Sequence, residues 1–366
     1  MKKLSAIITL IFIIMSCNLL RDKSADQTHI FELNPDLVCA NSTADEWTRL
    51  GLEGETVMSI LVHPQNPQVI FAGTGFDFSA QRNGKIFRST DCGRTWQKIY
   101  EGGSFRGLLL HPEDPYTLFA WPQLPTGGLL RTIDGGEHWE LYSEEINTDG
   151  ETTMMSALLI NPRDPNIMFA GTSGFWSGSL YKSVDGGQHW ENITDKNDTH
   201  FSFGAVAMYM HPYDPDLLLH SADGSTMISR SEDSGESWEN VYEAVGKLMT
   251  YDINPENPDQ IAANVSRIGI LISEDRGKTW QLKEIPDSLS VNQSYDIKFI
   301  NNSIYLAASI GVLKIDDFEN YEFLGRDIMG PRALALDFHE QNLYMGKWYI
   351  PSTENYSGGI YVKKLE

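Results

Sequence analysis

Aromatic side chains stand beside charged side chains at several separate points of this chain. Flat aromatic rings next to charged groups suit the binding of a carbohydrate or an extended peptide, because the rings bury apolar area while the charges orient the ligand. The alternative is that the segments carrying these rings fold onto each other and bury them. The candidate ligand-binding residues of this kind are Phe76, Asp77, Arg82, Trp121, Phe175, Trp176, Lys347, Trp348 and Tyr349.

Two further cations, Arg106 and Arg332, stand at the beginning of apolar runs that recur along the chain. Cations grouped on an acidic chain suggest a ligand with an anionic group, either a carboxylate or a sulfate. Pairing of these arginines with Asp77 or Asp223 is an equally open alternative. In the other alignable runs, the position of Arg106 is filled by the uncharged residues Met58, Ser156, Val206 and Met249.

Carboxylates that could cleave a glycosidic bond are also present. Hydrolysis needs two carboxyl groups roughly 5–10 Å apart, one as acid and one as base or nucleophile. A lyase would instead need a base, for which His200 or Tyr349 is available, with a cation beside it. Nothing in the sequence selects a pair, so the catalytic residues stay unknown. The carboxylate candidates are Asp77, Glu151, Asp195, Asp198 and Asp223.

The elements that position these residues are set by a repeated octapeptide, for example Ser183-Val-Asp185-Gly-Gly187-Gln-His189-Trp190. Aspartate and serine hydrogen-bond their own local backbone in tight turns, and glycine supplies a positive φ. The pattern Ser/Thr-x-Asp-x-Gly-x-(Thr/Ser/His)-Trp occurs five times, with 43, 51, 48 and 42 residues between successive aspartates. A turn is needed in every repeat but a catalytic group only once, so we interpret the aspartates as structural, with no metal and no cofactor. They are Asp91, Asp134, Asp185, Asp233 and Asp275.

Each octapeptide is preceded by two apolar runs joined by Pro-x-x-Pro, as in Met58–Ala72. One repeat therefore contains four short strands, A to D, with the proline turn between A and B and the octapeptide between C and D. A repeat of this length indicates propeller blades. Two further blades without the octapeptide follow residue 284. The strand Trp47–Leu50 then completes the last blade and closes the ring.

The sequence thus predicts an all-β fold: a single seven-bladed β-propeller of four-stranded antiparallel blades, closed by the N-terminal strand 47–50 joining the C-terminal blade. The octapeptides and proline turns then share one face of the disc, and the B–C loops share the other. We assign Trp121, Trp176 and Trp348 to B–C loops.

The octapeptide resembles the Asp-box, or BNR, motif of sialidases, two-domain xyloglucanases, sortilin-type receptors and photosystem II assembly propellers. The resemblance covers most of residues 47–366 and implies a propeller rather than an activity. The Arg-Ile-Pro signature of sialidases is absent. Xyloglucanases are similar in the sequence around Pro165 and Thr172. They use one carboxylate from each of two propellers, whereas this chain has repeats for one propeller.

The first 17 residues are typical of a secretory signal, with Lys2 and Lys3 before an apolar run. The ending Ile-Met-Ser-Cys17 resembles a bacterial lipobox, which implies lipidation of Cys17. We expect a signal peptide at 1–17, a flexible tether at 18–45 and the propeller at 46–366. The chain would then be exported and lipid-anchored in the bacterial cell envelope, at the outer membrane or cell surface. A soluble secreted protein is the alternative.

Loss of the signal would change the formal net charge from −22 to −24, which disfavours nucleic acid and contact of the protein surface with anionic lipid. We expect a monomer that touches the membrane only through its lipid. Cys39 and Cys92 should both lie on the octapeptide face, so we expect a disulfide between them.

Two functions fit these features. One is a binding or scaffold module that holds a glycan or an extended peptide or protein ligand on the B–C loop face. The alternative is a glycan-active enzyme, either a glycoside hydrolase or a polysaccharide lyase, that uses the same face.

Overall fold

The computed structural model describes residues 31, 33–39, 46–75, 83–122, 128–143, 145–147, 154–173, 178–194, 205–222, 227–243, 246–289, 291–324, 333–349 and 357–365, and all structural statements concern these residues.

Seven four-stranded antiparallel sheets account for the described strands, and each sheet is one blade. Blade 1 comprises β2 (Val57–Val62), β3 (Ile70–Thr74), β4 (Lys85–Ser89) and β5 (Gln97–Glu101); blade 2 comprises β6 (Phe105–Leu110), β7 (Leu118–Pro122), β8 (Leu129–Thr132) and β9 (Glu140–Ser143). Blade 3 comprises β10 (Met154–Ile160), β11 (Met168–Ser173), β12 (Leu180–Ser183) and β13 (Glu191–Asn192); blade 4 comprises β14 (Ala205–His211), β15 (Asp214–Ala222), β16 (Met227–Ser231) and β17 (Glu239–Glu243).

The remaining blades continue the same order. Blade 5 comprises β18 (Lys247–Ile253), β19 (Ile261–Ser266), β20 (Gly269–Ser273) and β21 (Gln281–Glu284); blade 6 comprises β22 (Ser294–Ile300), β23 (Ser303–Ala308), β24 (Gly311–Ile315) and β25 (Tyr321–Leu324). Blade 7 comprises β26 (Ala333–His339), β27 (Asn342–Tyr349), β28 (Ser357–Lys364) and β1 (Thr48–Gly51).

The ring closes where β1 pairs with β28, with Thr48 opposite Val362 and Arg49 opposite Tyr361. The first strand of each blade contacts the first strand of the next, and β26 of blade 7 contacts β2 of blade 1. The first strands therefore surround a central axis. The chain is a seven-bladed β-propeller. The predicted blade number, strand order and closure are confirmed.

The five octapeptide turns share one hydrogen-bond pattern. In blade 3 the Ser183 hydroxyl donates to Asp185 Oδ1 at 2.9 Å and accepts from the Gly187 amide at 2.9 Å. The His189 amide donates to Asp185 Oδ1 at 2.9 Å, and this bond, with that to the His189 ring, lowers the pKa of Asp185 to about 2. The carboxylate is thus held ionised by its own turn.

Each octapeptide turn also binds the A–B turn of its own blade. The Cys92 amide donates to the Gln68 carbonyl at 3.0 Å, and the Gly135 amide to that of Tyr116 at 2.9 Å. The A–B and C–D turns therefore lie together on one face, which we call the turn face. The opposite face, where the first strands begin, is the loop face.

Residue 31 and residues 33–39 lie against the turn face. Phe31 is only 9% exposed and contacts the rings of Phe71 and Tyr116. A disulfide joins Cys39 to Cys92 with the two Cα atoms 5.4 Å apart, within the usual range. Phe31 and Cys39, which lie within the expected tether 18–45, are therefore held against the propeller by an apolar contact and a covalent bond. Cys17 lies outside the described residues.

The described connections contain two short 3₁₀ helices, Glu145–Asn147 and Asp287–Leu289. Among the described residues, no helix is long and apolar enough to cross a membrane.

Candidate functional site

A central cavity of about 580 Å³ is lined by residues from the first strands of all seven blades. Its wall near the loop face includes the sequence-predicted residues Arg106, Trp121 and Trp348. The structure therefore brings a cation and two indoles from blades 2 and 7 to one cavity. Its volume lies within the usual range for a small-ligand site.

A β-bulge near the beginning of the first strand supplies several of these lining residues. In blade 2, Phe105 pairs with Pro122 and Gly107 with Trp121, so Arg106 is the extra residue. A bulge re-aims the side chain of its extra residue, and Arg106 is exposed and lines the cavity. The equivalent extra residues of other blades that line the cavity are Met58, Ser156 and Tyr295.

The ring of Trp121 lies directly over the backbone of Gly107. A Cβ atom on Gly107 would come within 1.7 Å of Trp121 Cζ2, so only glycine fits there. Trp121 is 8% exposed, and its Nε1 has no hydrogen-bond partner among the described residues. Blade 2 thus fixes a flat indole immediately beside the bulged arginine.

Four of the predicted loop residues lie in strands, which corrects their assignment to B–C loops. Trp121 belongs to β7, and Lys347, Trp348 and Tyr349 belong to β27. In blade 7, β27 pairs with β28 as far as Tyr349 opposite Ser357, so Trp348 lies within a paired strand.

One of these strand residues, Lys347, is withdrawn from the surface, and the backbone of another, Tyr349, is bonded to a neighbouring blade connection. Lys347 is 2% exposed, with its Nζ 5.4 Å from the centre of the Tyr361 ring, and burial lowers its pKa. The Tyr349 amide donates to Thr56 Oγ1 at 3.1 Å, which joins blade 7 to the connection before blade 1. The backbone of Tyr349 thus takes part in the junction at the ring closure.

Several predicted residues lie outside the described residues. These are the ligand-binding candidates Phe76, Asp77, Arg82, Phe175, Trp176 and Arg332, together with the catalytic candidates Glu151, Asp195, Asp198, His200 and Asp223.

Sequence reasoning missed other residues of the cavity. Lys247, the first residue of β18, adds a second exposed cation to the wall, alongside the exposed Arg106 and the half-buried Lys298. Met154 and Tyr295 add apolar surface. No sequence pattern distinguishes Lys247 from other lysines. The alignment of Arg106 with Met58 and Ser156, by contrast, identifies the position of the bulge, although it does not show that the strand bulges there.

Three aspartates join the first strands of neighbouring blades. Their carboxylates accept backbone N–H groups of the next blade, which the inner edge of a sheet would otherwise leave unpaired. Phe299 N–H donates to Asp252 Oδ2 at 2.6 Å, Leu336 N–H to Asp296 Oδ2 at 2.8 Å, and Val62 N–H to Asp337 Oδ2 at 2.6 Å. These carboxylates therefore hold blades 5, 6, 7 and 1 together.

These aspartates share one counter-ion, Lys298. Burial raises the pKa of Asp252 to about 6, against the attraction of the Lys298 ammonium. Burial lowers the pKa of Lys298, but the carboxylates of Asp252, Asp296 and Asp337 outweigh it, and the pKa is raised overall. This part of the wall is engaged in holding the ring. Among the described residues, no cluster of histidine, cysteine and carboxylate side chains could hold a metal ion.

No protein-family model matches the chain, and no curated protein matches its sequence. Solved structures do match. A GH74 enzyme from Niastella koreensis is 16% identical over 84% of this chain and 51% of its own, with a TM-score of 0.61. YCF48 from Cyanidioschyzon merolae is 14% identical over 87% of this chain and 98% of its own, with a TM-score of 0.62. YCF48 bound to D1 peptide is 14% identical over 90% of this chain and 98% of its own, with a TM-score of 0.59.

At these identities the likeness is one of fold. The chain spans about half the length of the GH74 enzyme and nearly the whole of YCF48. Propellers of this kind thus include both an enzyme and a peptide-binding protein, so the function has to be argued from the site.

Proposed function

We propose that this protein is a binding or scaffold module that holds a glycan or an extended peptide at the loop-face mouth of the central cavity. The observation that carries the proposal is that the exposed, bulged Arg106 lines the same cavity as the half-buried indole of Trp348 and the more deeply buried indole of Trp121. Arginine binds carboxylate and sulfate groups in a bidentate manner, and indoles stack on flat ligand surfaces. The ligand therefore carries an anionic group next to an apolar or ring-shaped face.

The structural neighbours support a ligand-binding propeller. One YCF48 structure holds a peptide, and the GH74 structure is that of an enzyme. The sequence ending at Cys17 supports export and lipid attachment, which would fix the propeller to the cell envelope and leave one face for the ligand. Mass spectrometry of the purified mature protein tests the attachment, with an unmodified N-terminus at another residue as the contrary result.

A glycan-active enzyme is the second candidate, and the likeness to the GH74 enzyme favours it. Among the described residues, Asp296 is the carboxylate that lines the cavity, and it accepts a backbone N–H from the neighbouring blade, as Asp252 and Asp337 do at the adjacent junctions. These carboxylates are structural, so a hydrolase would have to draw its acid and base from other segments. For this reason we favour binding without cleavage.

A screen against neutral and anionic polysaccharides and against peptides with free carboxyl groups tests the proposal. The purified protein should retain an anionic glycan or peptide and release no shorter products from it. Release of oligosaccharides would support the enzyme. Failure of every anionic ligand to bind would overturn the proposed site chemistry.

A further inference from the structure

Neighbouring blades are joined on the turn face by the octapeptide turn of the later blade. In blades 2, 3 and 4 the glycines Gly136, Gly187 and Gly235 of these turns lie against the outer strand of the preceding blade. The residue they cover is the third after the tryptophan and is always apolar or aromatic. It is Ile99, Tyr142 and Ile193 for those three junctions, and Val241 beside Trp280 for the junction of blades 4 and 5.

A cation makes a second link at three of these junctions. It immediately precedes the serine that begins the octapeptide, and it donates to a carbonyl in the octapeptide turn of the next blade. Arg88 Nη1 donates to the Gly135 carbonyl at 2.8 Å, Lys182 Nζ to that of Ser234 at 2.9 Å, and Arg230 Nε to that of Arg276 at 3.1 Å.

Blade 6 departs from this pattern because residues 316–320 join β24 to β25 without an octapeptide. The two junction positions of blade 5, the cation position and the covered apolar position, also differ from those of the other blades. Ile272 stands before Ser273 where the other junctions have a cation, and Lys283 stands third after Trp280 where they have an apolar residue. The sequence of blade 5 is therefore matched to a junction that no octapeptide turn of blade 6 closes, and Phe318 of the shorter turn packs against the cluster that contains Ile272 instead.

A groove of about 480 Å³ lies at this junction, and we call it the 5–6 groove. Its apolar lining consists of the buried residues Ile272, Phe299, Ile304 and Ile315 with the half-buried rings of Trp280 and Phe318. Its rim carries the exposed carboxylates of Glu274, Asp316 and Asp317 and the ammonium of Lys283. The groove is thus apolar inside and mainly acidic at its edge.

The junction of blades 1 and 2 shows what fits at this level of the ring. There the ring of Phe31, which comes from outside the blades, is buried against Phe71 and Tyr116 and beneath the Arg88 guanidinium, 5.7 Å from the ring centre. Arg88 precedes Ser89 as Ile272 precedes Ser273. An aromatic side chain from a separate segment therefore fills this position elsewhere in the same molecule.

We propose that the 5–6 groove binds a protein segment that inserts an aromatic side chain and carries basic residues on either side of it. The aliphatic floor takes the ring, and the carboxylate rim takes the basic residues. This site lies on the turn face and is independent of the ligand site at the central cavity.

The polar groups of the groove favour a peptide over a sugar. Side-chain amides hydrogen-bond the hydroxyl groups of a sugar only where their donors and acceptors are open. Gln260 Nε2 already donates to Glu274 Oε1 at 2.8 Å, and Asn302 Oδ1 accepts from Asn254 Nδ2 at 2.7 Å. Two of the three side-chain amides of the lining are therefore engaged within the protein, and the third is the exposed Gln281.

The test uses the labelled peptide Lys-Lys-Trp-Lys-Lys, its alanine version Lys-Lys-Ala-Lys-Lys, and fluorescence anisotropy with the full mature protein. Gln281→Trp fills the groove from its exposed edge. Glu191→Trp is the matched control, since Glu191 is also exposed and also follows the tryptophan of its octapeptide, but at a junction that a turn closes. Urea unfolding checks that both variants fold.

The tryptophan peptide should bind the unmodified protein and Glu191→Trp alike. Its affinity for Gln281→Trp should be at least about tenfold lower than for the unmodified protein. The affinity of the alanine peptide for the unmodified protein should be lower by a similar factor. Equal binding to Gln281→Trp and the unmodified protein would overturn the proposal. So would binding of labelled cellotetraose that is lost in Gln281→Trp, because the groove would then be a glycan site.

Discussion

The closure of the ring predicts that Leu50, near the N-terminal end of the described blades, is a core residue of the whole propeller. Leu50 is 7% exposed and packs with Val57, Ile360 and Val362 at the junction of blades 7 and 1. Its carbonyl also accepts the Trp96 Nε1 proton at 2.8 Å. Leu50→Ala should therefore destabilise the protein although it lies in a four-residue strand at the edge of its sheet.

The magnitude follows from the atoms removed. Leucine to alanine removes three carbons from the core, which at about 0.8 kcal/mol each amounts to about 2 kcal/mol of transfer free energy. The cavity left between Gly93 and Val57 adds to this, so the free energy of unfolding should fall by about 2–5 kcal/mol.

The matched control is Leu141→Ala. Leu141 also lies in an outer strand, that of blade 2, but it is 48% exposed. Its substitution should change the free energy of unfolding by no more than about 0.5 kcal/mol. Urea unfolding followed by tryptophan fluorescence, with the disulfide intact, measures both. If Leu50→Ala behaves like Leu141→Ala, residues 48–51 do not close the ring and the argument is refuted.

Three further results are expected. Deletion of residues 18–30 should leave the midpoint of urea unfolding unchanged, whereas deletion of 18–40 should lower it, because only the longer deletion removes a buried ring and the disulfide; equal midpoints would contradict this. The pKa of Asp252 is raised to about 6 in the folded state, so its contribution to stability is present below pH 4 and is lost as the pH rises through 6. The free energy of unfolding of Asp252→Asn in urea should therefore change less between about pH 4 and 7 than that of the unmodified protein. An unchanged pH dependence would show that another group titrates in this range. Thiol titration of the unfolded, unreduced mature chain without its lipidated cysteine should find no free thiol, and two free thiols would exclude the bond between Cys39 and Cys92.

The blade architecture could be predicted because its signals are local. The turn around Asp185 is closed by hydrogen bonds within seven residues, so the octapeptide specifies it wherever it occurs. The closing strand could also be predicted, because Trp47-Thr-Arg-Leu50 repeats the spacing between the tryptophan and the apolar residue of the other outer strands.

The site could be predicted only in part, because contacts distant in sequence determine it. The sequence identifies Arg106 as a cation at a position that is uncharged in the other repeats. The bulge that directs its side chain to the cavity depends on the pairing of β6 with β7. The burial of Trp121 depends on the missing side chain of Gly107. Phe31 gave no signal, since a single apolar ring in a polar segment has no periodicity to reveal the junction that receives it.

The measurement that tests the proposed function most directly is the affinity of Arg106→Gln for an anionic ligand that the unmodified protein retains. Loss of a charge-assisted hydrogen bond is worth about 1.5–3 kcal/mol, so isothermal titration should show binding weakened roughly ten- to a hundredfold. Arg94→Gln, an exposed arginine in an octapeptide turn, should bind as the unmodified protein does. Equal affinity for Arg106→Gln and Arg94→Gln would contradict a ligand site at the mouth of the central cavity.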